Sequence, residues 1–148
     1  MYRSILVAID ASATAQRALA HATELASVMR ARLTVLSVVS PLPSFAYRAG
    51  VDTERLEQEA QREASELVRA AADAAPQDLS VTTRVRMGHA GEQIVAQAQE
   101  GGHDLVVLGS RGRGRLASTL LGSVGGDVHF HLHVPLLVVH PVPEDRTA

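Results

Sequence analysis

Three glycines and a serine at fixed spacing are the residues of this 148-residue chain best suited to chemistry. Gly109, Gly112, Gly122 and Ser123 follow the apolar run at 105–108. Because glycine has no Cβ, a backbone rich in it turns sharply and approaches a ligand closely. Its exposed N–H groups can then point at an anion, and a helix beginning near Gly122 would add its positive end. The spacing predicts a phosphate cradle.

Arginine is the only strongly basic residue of the chain, which contains 14 arginines and no lysine. Schiff-base chemistry and a phosphate-binding loop that depends on lysine are therefore excluded. Arg111, Arg113 and Arg115 cluster within the glycine segment. Two interpretations stay open for them: one arginine touches a phosphate, or all three are solvated on an exposed loop.

Asp10 and Ser12 follow the first apolar run of the chain, at the expected carboxyl end of a strand. A carboxylate repels phosphates unless Mg²⁺ or Mn²⁺ lies between them, or unless it faces the hydroxyls of a ribose. Asp10 is therefore a candidate ribose contact or metal contact. It could equally serve only the start of the next helix, where Ser12 is the predicted N-cap.

Composition limits the class of protein. The hydrophobic fraction is 46% and the aromatic fraction 3%, so the core must be aliphatic. The absence of cysteine excludes disulfides and thiolate chemistry. A net charge of −2 argues against a general nucleic-acid binder. No signal peptide and no apolar run of about 20 residues is present, so a cytoplasmic protein without membrane insertion is expected.

Hydrophobic periodicity divides the chain into alternating strands and helices. Strands are predicted at 4–9, 32–39, 79–87, 104–108 and 135–139. Helices are predicted at 13–29, 52–74, 92–100 and 122–130, with loops at 40–51 and 88–91. The length fits a single domain over residues 1–148, with a loose tail at 141–148.

Strands that alternate with helices predict an α/β fold with a single open five-stranded parallel sheet and helices on both faces. In the strand order 3-2-1-4-5, strands one and four lie side by side. Ligands of such Rossmann-like sheets bind beyond the carboxyl ends of the strands, where the order reverses. Asp10 and the glycine segment would then share one crevice.

The chain resembles the universal stress protein family. Gly109, Gly112, Gly122 and Ser123 match the Gly-x2-Gly-x9-Gly-Ser/Thr signature of the members that bind ATP. Residues 5–12, 31–39, 103–112 and 134–139 are similar to the first, second, fourth and fifth strands of the family, so the resemblance covers almost the whole chain.

The resemblance implies a nucleotide site with ATP, or ADP or AMP, as its ligand. Val38 would meet adenine through its backbone, Asp10 would lie near the ribose or a phosphate-bound Mg²⁺ or Mn²⁺, and Gly109 would lie beside the ribose. The residues expected to bind the nucleotide are Ala8, Asp10, Ser12, Val38, Val39, Gly109, Ser110, Arg111, Gly112, Gly122, Ser123 and Val124.

The fifth strand predicts a contact with a second copy of the chain. Its apolar stretch, between Val134 and Val139, would form a sheet edge, and such an edge invites pairing. The family's habit of pairing final strands across a two-fold axis favours a homodimer, while covering of the edge by the tail is the alternative.

His129 and His133 share a helical face as in some metal sites. Structural or dimer-edge histidines are the preferred interpretation for these two, His131 and His140.

Three functions follow from these observations. The leading hypothesis is an ATP-binding universal stress protein that acts as a regulatory module in a stress response, with a protein partner that the sequence does not identify. The second is a slow ATPase or phosphotransferase, for which Asp10, Ser110 and Ser123 are the candidate groups. The third is a protein-interaction dimer that does not use its pocket.

Overall fold

Five parallel strands form one sheet in a computed structural model that describes residues 1–110 and 131–143. The strands are β1 (Ser4–Ala8), β2 (Arg32–Val39), β3 (Val81–Met87), β4 (Leu105–Gly109) and β5 (Leu136–Val139). The helices are α1 (Ala13–Met29), α2 (Ser44–Arg48), α3 (Thr53–Ala74) and α4 (Ala90–Glu100). The sheet order is β3-β2-β1-β4-β5, which confirms the predicted fold class and strand order.

The central strand β1 explains why the first apolar run is continuous, since its residues are buried on both faces of the sheet. Ile5 and Val7 face α1 and α3, in a core cluster that includes Ala18 and Val68. Leu6 and Ala8 face α4 in a second cluster with Ile94. Helices on both faces are therefore confirmed.

Helix α1 begins at the predicted serine and packs through small side chains. The Oγ of Ser12 accepts a hydrogen bond from the N–H of Ala15 at 3.1 Å. Ala15, Ala18, Ala22 and Ala26 are buried at helical spacing, so that the α1 backbone lies close to the sheet. The helix ends at Arg30, whose φ of 54° is left-handed and reverses the chain into β2.

Strand order reverses between β1 and β4. The chain passes from β1 through α1 to β2, then from β3 through α4 back across the sheet to β4. The pairing of β1 with β4 ends at Val7 and Val107, and that of β1 with β2 ends at Ala8 and Leu36. In parallel α/β sheets, ligands bind beyond the carboxyl ends of the strands at the point where the strand order reverses.

Two helices differ from the sequence-based assignment. Helix α2 lies inside the predicted loop at 40–51, because a single turn that follows Pro43 is too short to show helical periodicity. Helix α4 begins at Ala90 rather than Glu92, since Ala90 and Gly91 are buried at its first turn. Among the described residues, no helix combines the length and the apolar character needed to cross a bilayer.

Buried polar side chains connect α4 to the amino end of β1. Nη1 of Arg86 donates to Oε1 of Gln97 at 3.3 Å, and Nε2 of Gln97 lies 3.4 Å from Nε2 of His103. Nδ1 of His103 is 2.9 Å from Oγ of Ser4. A guanidinium only donates, so the Gln97 amide turns its N–H toward His103 and makes that ring nitrogen an acceptor. The neutral imidazole therefore carries its proton on Nδ1.

His103 explains the glycine at position 101. A Cβ built on Gly101 would lie 2.3 Å from Nε2 of His103, so only a residue without a side chain fits beside the ring.

Burial lowers the pKa of His103, and the positive charges of Arg32 and Arg84 lower it further. The carboxylate of Asp104 acts in the opposite direction but does not outweigh them. Burial raises the pKa of the Asp104 carboxyl, but bonds from the N–H groups of Arg3 and Ser4 outweigh it and lower that pKa overall.

We expect the stability of the protein to fall in mild acid. Because the pKa of folded His103 lies below its ordinary value of 6.5, the unfolded chain takes up the proton first. The contribution of His103 is complete above pH 6.5 and is lost as the pH falls below it, with a slope of up to about 1.4 kcal/mol per pH unit. Urea unfolding between pH 8 and 5 measures this slope.

The matched variants are His103→Gln and His21→Gln, the latter at an exposed position of α1. Between pH 7.5 and 5.5, roughly the range in which a histidine titrates, His103→Gln should flatten the pH dependence and His21→Gln should leave it unchanged. An equal slope in the wild type and His103→Gln would contradict the assignment.

Candidate functional site

A cleft of 770 Å³ opens at the carboxyl end of β2, between that strand and α3. Its volume is within the range of small-molecule sites, about 300–1,000 Å³. The residues that line it come from the ends of β1 and β2 and from one side of α3. They are Asp10, Ala11, Ser37, Val38, Val39, Ser40, Ala60, Glu63, Ala64, Glu66 and Leu67.

Small side chains on α3 leave room for this cleft. Ala60 and Ala64 lie one helical turn apart and line it, with Leu67 on the same side of the helix. Further along the helix, Val68 and Ala71 pack into the core with the sheet. The helix therefore stands against the sheet at its carboxyl end and leaves a gap over the end of β2.

Asp10 stabilises the turn before α1 and also lines the cleft. Its Oδ1 accepts a hydrogen bond from the N–H of Ser12 at 2.9 Å, which holds the turn between β1 and α1. Ser12 itself caps the helix. Asp10 is only partly buried and lines the cleft. The same carboxylate thus shapes the backbone at the end of β1 and faces the space where a ligand would lie.

The end of β2 presents unpaired backbone toward β1. The N–H of Ile9 donates to the carbonyl of Leu36 at 2.8 Å, and this is the last bond between the two strands. Alternate residues of a strand direct their N–H and C=O groups to the same side, so those of Val38 face β1 beyond its end. Within residues 1–110 and 131–143 they form no backbone bond. The carbonyl of Val39 faces β3 and accepts from Gly88.

Ser110, the residue after β4, is bonded into the sheet. Gly109 is the last residue of β4 and pairs with Val139 of β5. The N–H of Ser110 donates to the carbonyl of Val139 at 2.8 Å. This amide completes the sheet, so it is not one of the anion-binding groups predicted for the glycine segment. The prediction that Ser110 belongs to the nucleotide site stays a prediction, and any contact with a ligand would leave this N–H in the sheet.

The remaining predicted site residues fall into two groups. Ala8 is 3% exposed and packs its side chain against α4, which leaves only its backbone for a ligand. The others lie outside the described residues, as does His129. They are Arg111, Gly112, Gly122, Ser123 and Val124.

The described lining of the cleft is acidic. Asp10, Glu63 and Glu66 contribute carboxylates, and none of the described lining residues is cationic. Such a surface attracts hydrogen-bond donors and repels an uncompensated phosphate. Sequence reasoning missed the two glutamates and Ser37, because nothing in the local sequence shows which turn of α3 faces the end of β2. The pair of alanines on α3 is the signal that could have indicated it.

His131 and His133 lie in a different place. With Glu92, Val95, Ala96 and Gln99 of α4 they line a separate cleft of 410 Å³. Among the described residues, no three histidine, cysteine or carboxylate side chains are grouped so as to hold a metal ion.

Comparison with known proteins identifies relatives over the whole fold. The model of the universal stress protein family matches residues 1–140. Universal stress protein YxiE of Bacillus subtilis is 31% identical over 147 residues, which cover 94% of this chain and 99% of the relative. A universal stress protein of Thermus aquaticus is 33% identical over 139 residues, with 94% and 99% covered.

A solved structure shares the architecture. The crystal structure of a universal stress protein in complex with cAMP superposes with a TM-score of 0.69 at 25% identity, and the match covers 95% of this chain and 99% of that one. That protein holds an adenine nucleotide in its crystal.

Removing the cap should weaken the fold without touching the cleft. We expect Ser12→Ala to lower the free energy of unfolding by about 1 kcal/mol, because the N–H of Ala15 loses its acceptor. Ser65→Ala, at an exposed position within α3, is the matched control and should be neutral. Urea unfolding at pH 7.5 (roughly 1 unit above the ordinary histidine pKa) measures both, and equal stability of the two variants would refute the capping role.

Proposed function

Because the chain belongs to the universal stress protein family, we propose that it binds an adenine nucleotide across the carboxyl ends of β2, β1 and β4. The observation that carries the proposal is the unpaired backbone of Val38 beside Asp10 in a cleft of 770 Å³. An N–H and a C=O on one strand edge offer a donor and an acceptor, and adenine presents both on its Watson–Crick edge.

The order of the strands determines the proposed orientation of the nucleotide along the carboxyl edge of the sheet. Neighbouring strands lie about 4.8 Å apart, so β2 and β4 are about 10 Å apart with β1 between them. The base lies at β2, the ribose near Asp10, and the phosphates extend toward the segment that follows β4. This direction keeps the phosphates away from Glu63 and Glu66, which line the cleft on the side of α3.

The relatives support an adenine nucleotide as the ligand. The complex with cAMP contains adenine, ribose and phosphate in a chain that shares this fold. The glycines at 109, 112 and 122 and the serine at 123 keep the signature of the ATP-binding members in this chain. On this basis we take ATP as the ligand to test first, with ADP and AMP as competitors.

Asp10 is the residue that we assign to a phosphate-bound Mg²⁺ or Mn²⁺. A carboxylate oxygen is a ligand that these cations prefer. The cation would arrive with the phosphates, and Asp10 would supply one oxygen ligand to it. Its chemistry there is charge neutralisation between Asp10 and the phosphates.

The biological role that we propose is regulatory. A nucleotide that binds one arrangement of the carboxyl edge better than another shifts the population toward it. The chain would thereby report nucleotide level to a protein partner in a stress response.

A second copy of the chain completes the proposal. β5 is an edge of the sheet and consists of Leu136, Leu137, Val138 and Val139, with no charged residue. An uncharged edge strand pairs readily with another strand. We propose a homodimer in which β5 pairs with β5 across a two-fold axis.

Nucleotide binding is tested by thermal stability and by release. At a ligand concentration about a hundred times the Kd, binding adds about 2.7 kcal/mol, which raises the Tm by roughly 5–10 °C. We expect this rise with ATP and Mg²⁺, and an adenine nucleotide released from the purified protein by acid. Gly122→Val should abolish both. No shift at millimolar ATP would reject the proposal.

Asp10→Asn tests the metal contact separately. The amide keeps an oxygen for the N–H of Ser12, so the fold should persist. We expect the dependence of ATP affinity on Mg²⁺ to fall about tenfold, since one charged ligand is worth roughly 1.4 kcal/mol here. Asp78→Asn, at the amino end of the sheet, is the control. Unchanged Mg²⁺ dependence in Asp10→Asn would remove the metal role.

Phosphate release in the same samples measures any hydrolysis of ATP.

The dimer is tested by a charge on the edge strand. Among the residues that the structure describes, Val138 belongs to neither core cluster, so Val138→Lys should leave the packing of these clusters intact. Light scattering should give twice 15.7 kDa for the wild type and 15.7 kDa for the variant. Arg84→Glu, on the opposite edge strand β3, is the control and should remain dimeric. A monomeric wild type would exclude this interface.

A further inference from the structure

Ser37 is a buried polar residue of β2. The residue is 5% exposed, and its hydroxyl forms no hydrogen bond in the part of the chain that the structure describes. Leaving a buried hydroxyl unpaired costs free energy. No side-chain oxygen of a described residue is both sealed from solvent and without a partner, so this hydroxyl must reach open space.

The open space that the hydroxyl reaches is the cleft. Leu33 and Val35 point into the core cluster beneath α1 and α3. Side chains alternate along a strand, so Ser37 lies on the same face as these two residues. On that face the cleft is bounded by Ser37 and by Ala60 and Ala64 of α3. Ser37 therefore forms the floor of the cleft, and the two alanines form its wall.

We propose that Ser37 is a ligand-binding residue whose hydroxyl accepts a hydrogen bond from the exocyclic amino group of the purine base. This inference rests on the proposed adenine-nucleotide function and adds a contact to it. We assign this contact to the base and not to the phosphates, because β1 separates β2 from β4 and the phosphates are proposed to lie at β4. We assign the contact to an amino group because the adjoining carboxylates of Glu63 and Glu66 favour a hydrogen-bond donor of the ligand over an acceptor.

A binding role and a structural role predict opposite effects on stability. If the hydroxyl served the fold, its removal would destabilise the protein without ligand. Because the hydroxyl has no partner among the described residues, Ser37→Ala, which replaces CH2OH with a methyl group, should leave the melting temperature of the ligand-free protein unchanged or raise it. A residue that is neutral or unfavourable for the fold and favourable for the ligand belongs to the binding site.

The experiment pairs Ser37→Ala with a change in the base. Affinities of the wild type and the variant are measured by calorimetry for ATP and for purine riboside triphosphate, which lacks the exocyclic amino group. The wild type should prefer ATP over the analogue by the value of two hydrogen bonds, one to the carbonyl of Val38 and one to the hydroxyl of Ser37. In the variant this preference should fall about five to ten times, the value of one hydrogen bond, because only the bond to Val38 remains. Ser65→Ala is the matched control and should keep the wild-type preference.

The outcomes separate this inference from the proposed function. If the wild type binds ATP and Ser37→Ala keeps the full wild-type ratio of affinities for ATP and the analogue, the role of Ser37 is refuted and the nucleotide function stands. An equal loss of affinity for both nucleotides, with a lower melting temperature without ligand, assigns Ser37 a structural role and also refutes it. If the wild type binds neither nucleotide, both proposals fail.

Discussion

The burial of β1 on both of its faces is the constraint on which the rest of this structure depends. A strand with apolar side chains on each side must lie at the centre of a sheet, with helices above and below. The strand is short and ends at Ala8, whereas its neighbour β2 continues to Val39. The difference in length exposes backbone at the end of β2. The candidate site is a consequence of this difference together with the turn that Asp10 stabilises.

The sequence was sufficient to predict the sheet because the signals for it are local. Continuous apolar runs identify buried parallel strands, and Ser12 identifies the start of α1 through a bond that spans three residues. The order of the strands was predicted from the alternation of strands and helices, together with the rule that ligands bind where the order reverses. Asp10, Val38 and Val39 were predicted together and line one cleft.

The parts that were not predicted depend on contacts between residues far apart in the chain. The pairing of Ser4 with His103 joins residues that are 99 positions apart, and no local pattern indicates it. The cleft beside Ser37 exists because the facing residues of α3 are alanines, which lie more than twenty residues later in the chain. The amide of Ser110 looked free in the sequence, but the sheet extends one hydrogen bond beyond the end of β4 and uses it. Local propensity carries no information on where a neighbouring strand ends.

The two edges of the sheet differ in chemistry, and in the proposed homodimer this difference would limit the size of the assembly. β3 carries Arg84 and Arg86, while β5 is entirely aliphatic. A chain with two adhesive edges would add copies without end and grow into fibres. With one such edge, joining two copies through β5 would consume the adhesive surface of both and would leave a guanidinium-bearing strand at each outer end of a ten-stranded sheet. Charge repulsion there would stop polymerisation at the pair.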